Sequence, residues 1–291
     1  MSRARDTAFV VLQHLLPQHA LSRLTGALAR STPPVLKDWL IARFIRAFGV
    51  DMREAAEPDP RAYPHFNAFF TRALREGARP VDTSPQAIVS PADGAVSQAG
   101  EISGGRVLQA KGRSYTAAEL LADEPDAALF DGGSFATIYL SPRDYHRVHM
   151  PCDARLTGMR YVPGDLFSVN AVTAASVPSL FARNERLVCR FETAHGPMAM
   201  VLVGAMVVAG IETVWTGPVA PAGTSVLAFD LESPATARQR GKGEEMGRFQ
   251  LGSTVILLLP RGAARWGTEF SAGSPLRMGQ RIGSWTGAVP V

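Results

Sequence analysis

The chain is poor in the residues that staple small folds or hold metals. Its 291 residues include two cysteines, Cys152 and Cys189, and no CxxC pair. That excludes a disulfide framework and a cysteine zinc site, and makes a reducing cytoplasm the expected compartment. Long apolar runs are lacking too. The longest uncharged apolar run, 197–211, has 15 residues, short of the roughly 20 that span a bilayer. Charge is sparse: charged residues make up 19% of the chain against 46% hydrophobic, with a net charge of +4. Such a balance describes a folded globular protein rather than a disordered one. No basic stripe of the kind that marks a nucleic-acid binder stands out, nor does an internal repeat. Arg3, Arg5 and Asp6 precede a short apolar run that Pro17 interrupts, so no secretory signal is expected.

The charge that is present gathers near the start. Residues 1–50 carry Arg3, Arg5, Arg23, Arg30, Lys37, Arg43 and Arg46 against Asp6 and Asp38, among many large apolar side chains. That mixture suits an anionic membrane surface better than a nucleic acid. The pattern over 6–50 predicts helices broken at Pro17 and at Pro33–Pro34. In the third helix Leu36, Leu40, Ile41, Phe44, Ile45 and Phe48 share one face, opposite Arg43 and Arg46, with Trp39 beside those arginines. Such a face packs on the protein's own core or lies on lipid, and the spacing leaves both open. Residues 51–63 are polar and proline-bearing, as a linker would be, and 65–78 reads as helical again.

Beyond about residue 80, short β-prone runs recur at 87–89, 94–99, 105–110, 135–140, 147–149, 187–192, 198–209, 224–229 and 254–259. They predict a largely antiparallel β domain rather than βαβ alternation. Short helices are expected at 119–121 and 177–181. Residues 238–248 read as a flexible, charged, Gly-rich lead into an apolar strand.

Four segments can carry chemistry. Ser90-Pro91-Ala92-Asp93-Gly94 puts a carboxylate at a tight turn, where Asp ordinarily caps backbone. Residues 141–149 hold His146 and His149, three apart. A metal pair would need a further ligand that the sequence does not offer; in an extended segment the two would point to opposite sides. Residues 164–170 hold Leu166, Phe167 and Ser168, either a turn entering the core or a loop covering a substrate. Last comes Leu251-Gly252-Ser253-Thr254. A serine hydroxyl can attack the carbonyl of its preceding residue, turning the peptide into an ester, and a small residue such as Gly252 eases the strained geometry. A histidine base would activate the hydroxyl. Elimination of the ester would leave dehydroalanine, which hydrolyses to a pyruvoyl cap.

Taken in order, SPADGAV, YLSPRDYHRVHMP, GDLFSVN, NERLV, VGAMVVAGIETVW and KGEEMGRFQLGSTVILLLP resemble the phosphatidylserine decarboxylase family of the bacterial proenzyme type. The resemblance runs from about His65 to the end; the N-terminal helices match in character more than in motif. It implies that Asp93, His149 and Ser253 form a self-cleavage relay acting at Gly252–Ser253. It also implies that Ser253 becomes the pyruvoyl carbon that forms a Schiff base with phosphatidylserine, and that His146 assists decarboxylation to phosphatidylethanolamine and CO₂. Neither metal nor pyridoxal phosphate is expected. Residue chemistry agrees, because losing CO₂ from an α-amino acid requires an electron sink. Lysine, the pyridoxal ligand, occurs only at 37, 111 and 242; Lys37 falls on the polar side of a helix and Lys242 in the charged run.

The expected fold is thus α+β: amphipathic helices followed by a β-rich, largely antiparallel catalytic domain. Residues 1–63 form the membrane-associating part and 64–291 the catalytic part, cut into 1–252 and 253–291. The two chains are expected to stay together, because 255–259 reads as an interior strand. Expected partners are an anionic phospholipid surface and phosphatidylserine, with a homodimer allowed and no nucleic acid, at the cytoplasmic face of the membrane as a peripheral protein. Two rivals remain on residue chemistry alone: a serine hydrolase using Ser253, His149 and Asp93 on an external substrate, and a non-catalytic lipid-binding β module.

Overall fold

The computed structural model of the chain describes residues 3–206, 210–220, 223–231, 234–250 and 253–287, with backbone alone for Arg3, Ala4 and Ser253. Helices α1 (Arg3–Leu15), α2 (Gln18–Ala29) and α3 (Pro34–Phe48) break where the prolines fall, and a short α4 (Phe66–Phe70) follows. The helix expected over 65–78 stops early, because the chain beyond it pairs elsewhere. Leu74 bridges to Ala55, and the amides of Ala56 and Arg75 bond the carbonyls of Ala73 and Glu54. Residues 51–63, polar as expected of a linker, contain two 3₁₀ turns and a buried Tyr63.

The α3 face settles on protein. Ile41 is buried with Ala29, Val50, Tyr63, Phe66, Phe69 and Phe70, and Leu40, Phe44 and Ile45 pack against them. Val35 and Trp39 stay exposed, as do Leu15 on α1 and Leu24 on α2. Lys37 differs from its expected polar position. It is buried, with Nζ donating to Asp38 Oδ1 at 2.6 Å and to the Arg61 carbonyl at 2.8 Å, which supply the counter-charge and acceptor that burial demands.

The rest is a β body around a nine-stranded antiparallel sheet. Its path runs Leu227–Phe229, Ala154–Val162, Arg186–Thr193, Gly196–Val203, Ser253–Leu259, Ser134–Leu140, Gly94–Glu101 and Pro275–Leu276, with Gln239–Arg240 also on Ala154–Val162. Both faces are covered. Val255, Leu257 and Leu259 enter one core with Met198, Met200 and Leu202; Ile256 and Leu258 enter another with Ala199, Val201 and Val203. Burial on both sides explains the uninterrupted apolar run of the central strand, where a half-exposed strand would alternate. One face is closed by strands carrying Val148, Ile211, Met246 and Phe249, the other by short helices and loops carrying Leu120, Phe130, Phe167 and Phe181.

Two expectations need correction. The strand of the 198–209 run ends at Val203, with 204–206 beyond it and 207–209 outside the described residues. The 238–248 lead is ordered: Gln239–Arg240 pairs with Ala154–Arg155, and Glu245–Phe249 pairs with Arg147–His149. Lys242 anchors the turn between them, its Nζ donating to the Ser84 carbonyl at 2.6 Å and its amide to Asp153 Oδ1 at 2.7 Å. Charge in this stretch therefore makes specific bonds rather than solvating a mobile loop.

Candidate active site

Three sequence-distant segments meet at one end of Ser134–Leu140. On one side Ser253 pairs with Leu140; on the other Ala95 pairs with Tyr139. Asp93 lies two residues before Ala95. Gly94 between them has φ +149°, and a Cβ there would stand 2.2 Å from the Tyr139 carbonyl, so only glycine lets the chain approach this closely. The chain leaving Leu140 then turns through 141–146 into Arg147–His149, whose last amide bonds the Pro91 carbonyl at 2.8 Å. Asp93, His149 and the start of the Ser253 strand are thereby gathered by backbone pairing. Gly252 lies outside the described residues.

The two histidines face different surroundings, His149 ending the strand Arg147–His149 and His146 standing just before it. His149 is buried, with Nδ1 2.8 Å from the Gly243 carbonyl and Nε2 3.0 Å from the Tyr145 hydroxyl. A carbonyl only accepts, so Nδ1 carries the proton and Nε2 offers its lone pair to the Tyr145 O–H. Gly243 holds φ +82° in the ordered Lys242 turn. Burial lowers the His149 pKa, opposed by the Gly243 bond and by the fields of Glu245 and Asp93, so the ring is neutral at neutral pH. His146 is fully buried, packed 4.1 Å from the Phe70 ring centroid. Its Nδ1–H donates to the Asp144 carbonyl at 2.8 Å, and burial drives its pKa down to about 3. Its Nε2 is buried with no partner.

Asp93 does not touch His149. Arg79 binds its carboxylate twice, Nε to Oδ1 at 2.9 Å and Nη2 to Oδ2 at 2.6 Å, and the Met278 amide donates to Oδ1 at 2.8 Å. Arg79 also holds Glu54 at 2.7 Å. Asp93 thus reaches His149 through its field, the last and smallest of the influences on that ring, and Arg79 holds the carboxylate in position while offsetting part of its charge.

Leu166, Phe167 and Ser168 lie at the same end of the sheet. The register pairing Thr254 with Val203 brings Gly204 level with Ser253. Asn184, fully buried, donates from Nδ2 to the carbonyls of Gly204 (2.9 Å) and Phe167 (2.8 Å) and accepts from the Phe167 amide. From outside, the amides of Leu166 and Ser168 donate to Gln18 Oε1 (2.6 Å) and Gln13 Oε1 (2.8 Å), and His14 packs on Phe167. The elbow between α1 and α2 therefore clamps this loop.

Sequence reasoning missed Tyr145, Arg79, Gly243, Asn184, Gln13 and Gln18. Tyr145, Asn184 and Gly243 sit inside motifs already quoted, and Tyr145, four residues before His149, was the one most within reach. Among the described residues no group of three or more His, Cys, Asp or Glu side chains could hold a metal.

The family model described as phosphatidylserine decarboxylase matches residues 66–284, three quarters of the chain, and a model described as PSD matches residues 8–49. The chain belongs to the phosphatidylserine decarboxylase family. Relatives named phosphatidylserine decarboxylase proenzyme include that of Stutzerimonas stutzeri, 57% identical over 281 residues, covering 96% of this chain and 95% of the relative. The Azotobacter vinelandii relative is 56% identical, covering 96% and 98%, and that of Bordetella petrii 55% identical, covering 96% and 97%. The family match includes both the helical start and the β body.

Proposed function

We propose that this chain converts phosphatidylserine to phosphatidylethanolamine and CO₂, using a pyruvoyl group that it makes from Ser253 after cutting its own Gly252–Ser253 bond. The observation that best supports this reading is the neutral His149, its proton fixed on Nδ1 by Gly243, on a strand end bonded to Pro91 just before Asp93 and Gly94, the turn that packs on Tyr139 next to Leu140, the partner of Ser253. In this reading Nε2 takes the Ser253 hydroxyl proton as that oxygen attacks the Gly252 carbonyl. The Tyr145 hydroxyl has to turn away first, because its hydrogen occupies that lone pair. The fields of Asp93 and Glu245 favour the imidazolium that forms.

A pyruvoyl group at Ser253 would supply the electron sink that decarboxylation requires. The surroundings fit such a group, because His146 carries a buried lone pair with no partner at the same sheet end, its main chain bonded to Phe249 four residues before Ser253. Neutral His146 would accept a hydrogen bond at Nε2 and so orient the group that returns a proton after CO₂ leaves. Leu166, Phe167 and Ser168 would wall the substrate.

Residues 1–63 form the membrane-facing part in this reading, and 64–291 the catalytic part. A groove of about 470 Å³ between α2, α3 and α4 is lined by Leu28, Trp39, Phe44, Phe48 and Phe66, with Arg43 beside it. Together with exposed Leu15, Leu24 and Val35 it offers an apolar, basic-edged surface to an anionic leaflet on the cytoplasmic side. No described helix is long and apolar enough to cross a membrane.

The decisive experiment is a gel and intact mass beside CO₂ release from phosphatidylserine vesicles. The unsubstituted protein should appear as two chains with a blocked new N-terminus. Ser253→Ala and His149→Ala should remain single chains; His146→Ala should split but release CO₂ about 10²–10⁴-fold more slowly. A single active chain with a free Ser253 would instead mark a serine hydrolase.

A further inference from the structure

A cavity of about 590 Å³ beside Asp93 carries charge that the chemistry above does not use. Its wall includes Asp93 and Tyr145 with four guanidinium groups, those of Arg72, Arg79, Arg143 and Arg277. Arg79 is engaged by Asp93 and Glu54. Arg277 lies 3.5 Å from Glu54, and Arg143 lies 3.9 Å from Asp144, both from largely exposed side chains.

Arg72 differs from all three. It is 5% exposed, and its Nε has no partner. Its bond is a long one, Nη2 to the Arg143 carbonyl at 3.4 Å, and its guanidinium lies 5.5 Å over the Phe69 ring. No ion pair joins it to a carboxylate among the described residues, and the carboxylates of this wall have other partners. Asp51 holds Arg53, Glu54 and Asp93 hold Arg79, and Asp144 accepts from the Ser141 amide and hydroxyl. A buried guanidinium keeps its proton and is costly without a counter-charge.

We propose that Arg72 receives the phosphodiester of the lipid headgroup, with Arg143 closing over it from the rim. The proposal rests on the decarboxylase reading. A phosphatidylserine headgroup carries two anions, and the chemistry selects between them. An arginine on the α-carboxylate would stabilise the charge that departing CO₂ must disperse, favouring the ground state over the transition state. The phosphodiester keeps its charge throughout, and its paired oxygens match the planar fork of arginine.

The test uses the Ser253→Ala chain, so that binding is read without turnover. The probe is glycerophosphoethanolamine, a soluble headgroup with a phosphodiester and no carboxylate, titrated by ³¹P NMR. Arg72→Gln should weaken its binding at least tenfold, with Arg72→Lys between the two, while Arg143→Gln weakens it less. Binding unchanged by Arg72→Gln would overturn the proposal. So would tighter binding of free L-serine that is lost with Arg72, which would assign the arginine to the carboxylate. Displacement by an equal concentration of inorganic phosphate would make this a free-phosphate site and overturn the headgroup assignment. If Arg72→Gln does not fold, judged by circular dichroism, Arg143→Gln decides, and unchanged probe binding there overturns the arrangement. In the unsubstituted protein, absence of CO₂ release would sink the decarboxylase reading while leaving the binding result standing.

Discussion

His146 makes stability depend on pH in a way that one substitution should isolate. Its ring is fully buried and its pKa lies at about 3, driven down by burial, against 6.5 in the unfolded chain. With the folded pKa depressed, the unfolded state binds the proton first as pH falls. Stability is therefore present in full above about pH 6.5 and is lost progressively toward pH 3. Between pH 7 and pH 5 the unfolded histidine goes from mostly neutral to almost wholly charged while the folded one stays neutral. The linkage integral over that interval is about 2 kcal/mol. His149 shifts in the same direction, so it must be retained in both proteins compared. The assay is urea unfolding of Ser253→Ala, with and without His146→Gln, followed by tryptophan fluorescence at pH 7 and pH 5. The His146→Gln chain should lose about 2 kcal/mol less over the interval, whatever its absolute stability. Equal losses in the two proteins would mean that His146 is hydrated or protonated in the folded state.

Two further outcomes are expected. Gln18→Ala removes the acceptor of a half-buried amide, so it should cost about 0.5–1.5 kcal/mol and speed hydrogen exchange at the Leu166 amide. Gln18→Glu, which keeps an acceptor, should restore slow exchange; equal protection in all three proteins would show that the elbow does not hold the loop. Val35→Asp with Trp39→Asp should lower flotation with anionic vesicles while leaving the gel pattern of processing unchanged, since both side chains point away from the core. Undiminished flotation would move the lipid contact off α3.

What was legible in the sequence followed from period and punctuation. The strand at 147–149 and the apolar strand ending at Leu259 stood out because β-prone residues were bounded by Pro, Gly or Asp. Ala154–Val162 was missed, since its Arg155, Arg160 and Gly158 dilute the pattern; in the fold those arginines reach Glu192 and Asp123 on neighbouring segments. The helix over 65–78 was overextended because local propensity cannot foresee the pairing of Leu74 with Ala55. At the site, Asp93 and the histidines could be named from motifs, and strand register brings the segments of Asp93 and Ser253 to one end of Ser134–Leu140. The partners that set their chemistry were not visible. Gly243 acts through a carbonyl, Arg79 crosses 14 residues to Asp93, and Gln18 crosses 148 to Leu166. Only folding turns such separations into contacts.

The same pairing bears on what a cut at Gly252–Ser253 would do to the molecule. Ser253–Leu259 lies between two neighbours, in register with 134–140 on one side and 199–203 on the other. The five side chains of 255–259 are fully buried, each worth about 1.5–3 kcal/mol relative to exposure, so losing this strand would cost on the order of 10 kcal/mol in burial alone. Later segments add hold. Pro275–Leu276 extends the large sheet beside Gly94–Glu101, and Arg281–Trp285 pairs with Ala87–Val89. The Met278 amide, on the far side of the cut, bonds Asp93 itself. In the piece beyond the cut, a broken peptide bond would therefore free only the end at Ser253. The piece beyond it would still form the middle of the sheet and part of the Asp93 wall, so processing can create a new N-terminus without opening the core or dispersing the site.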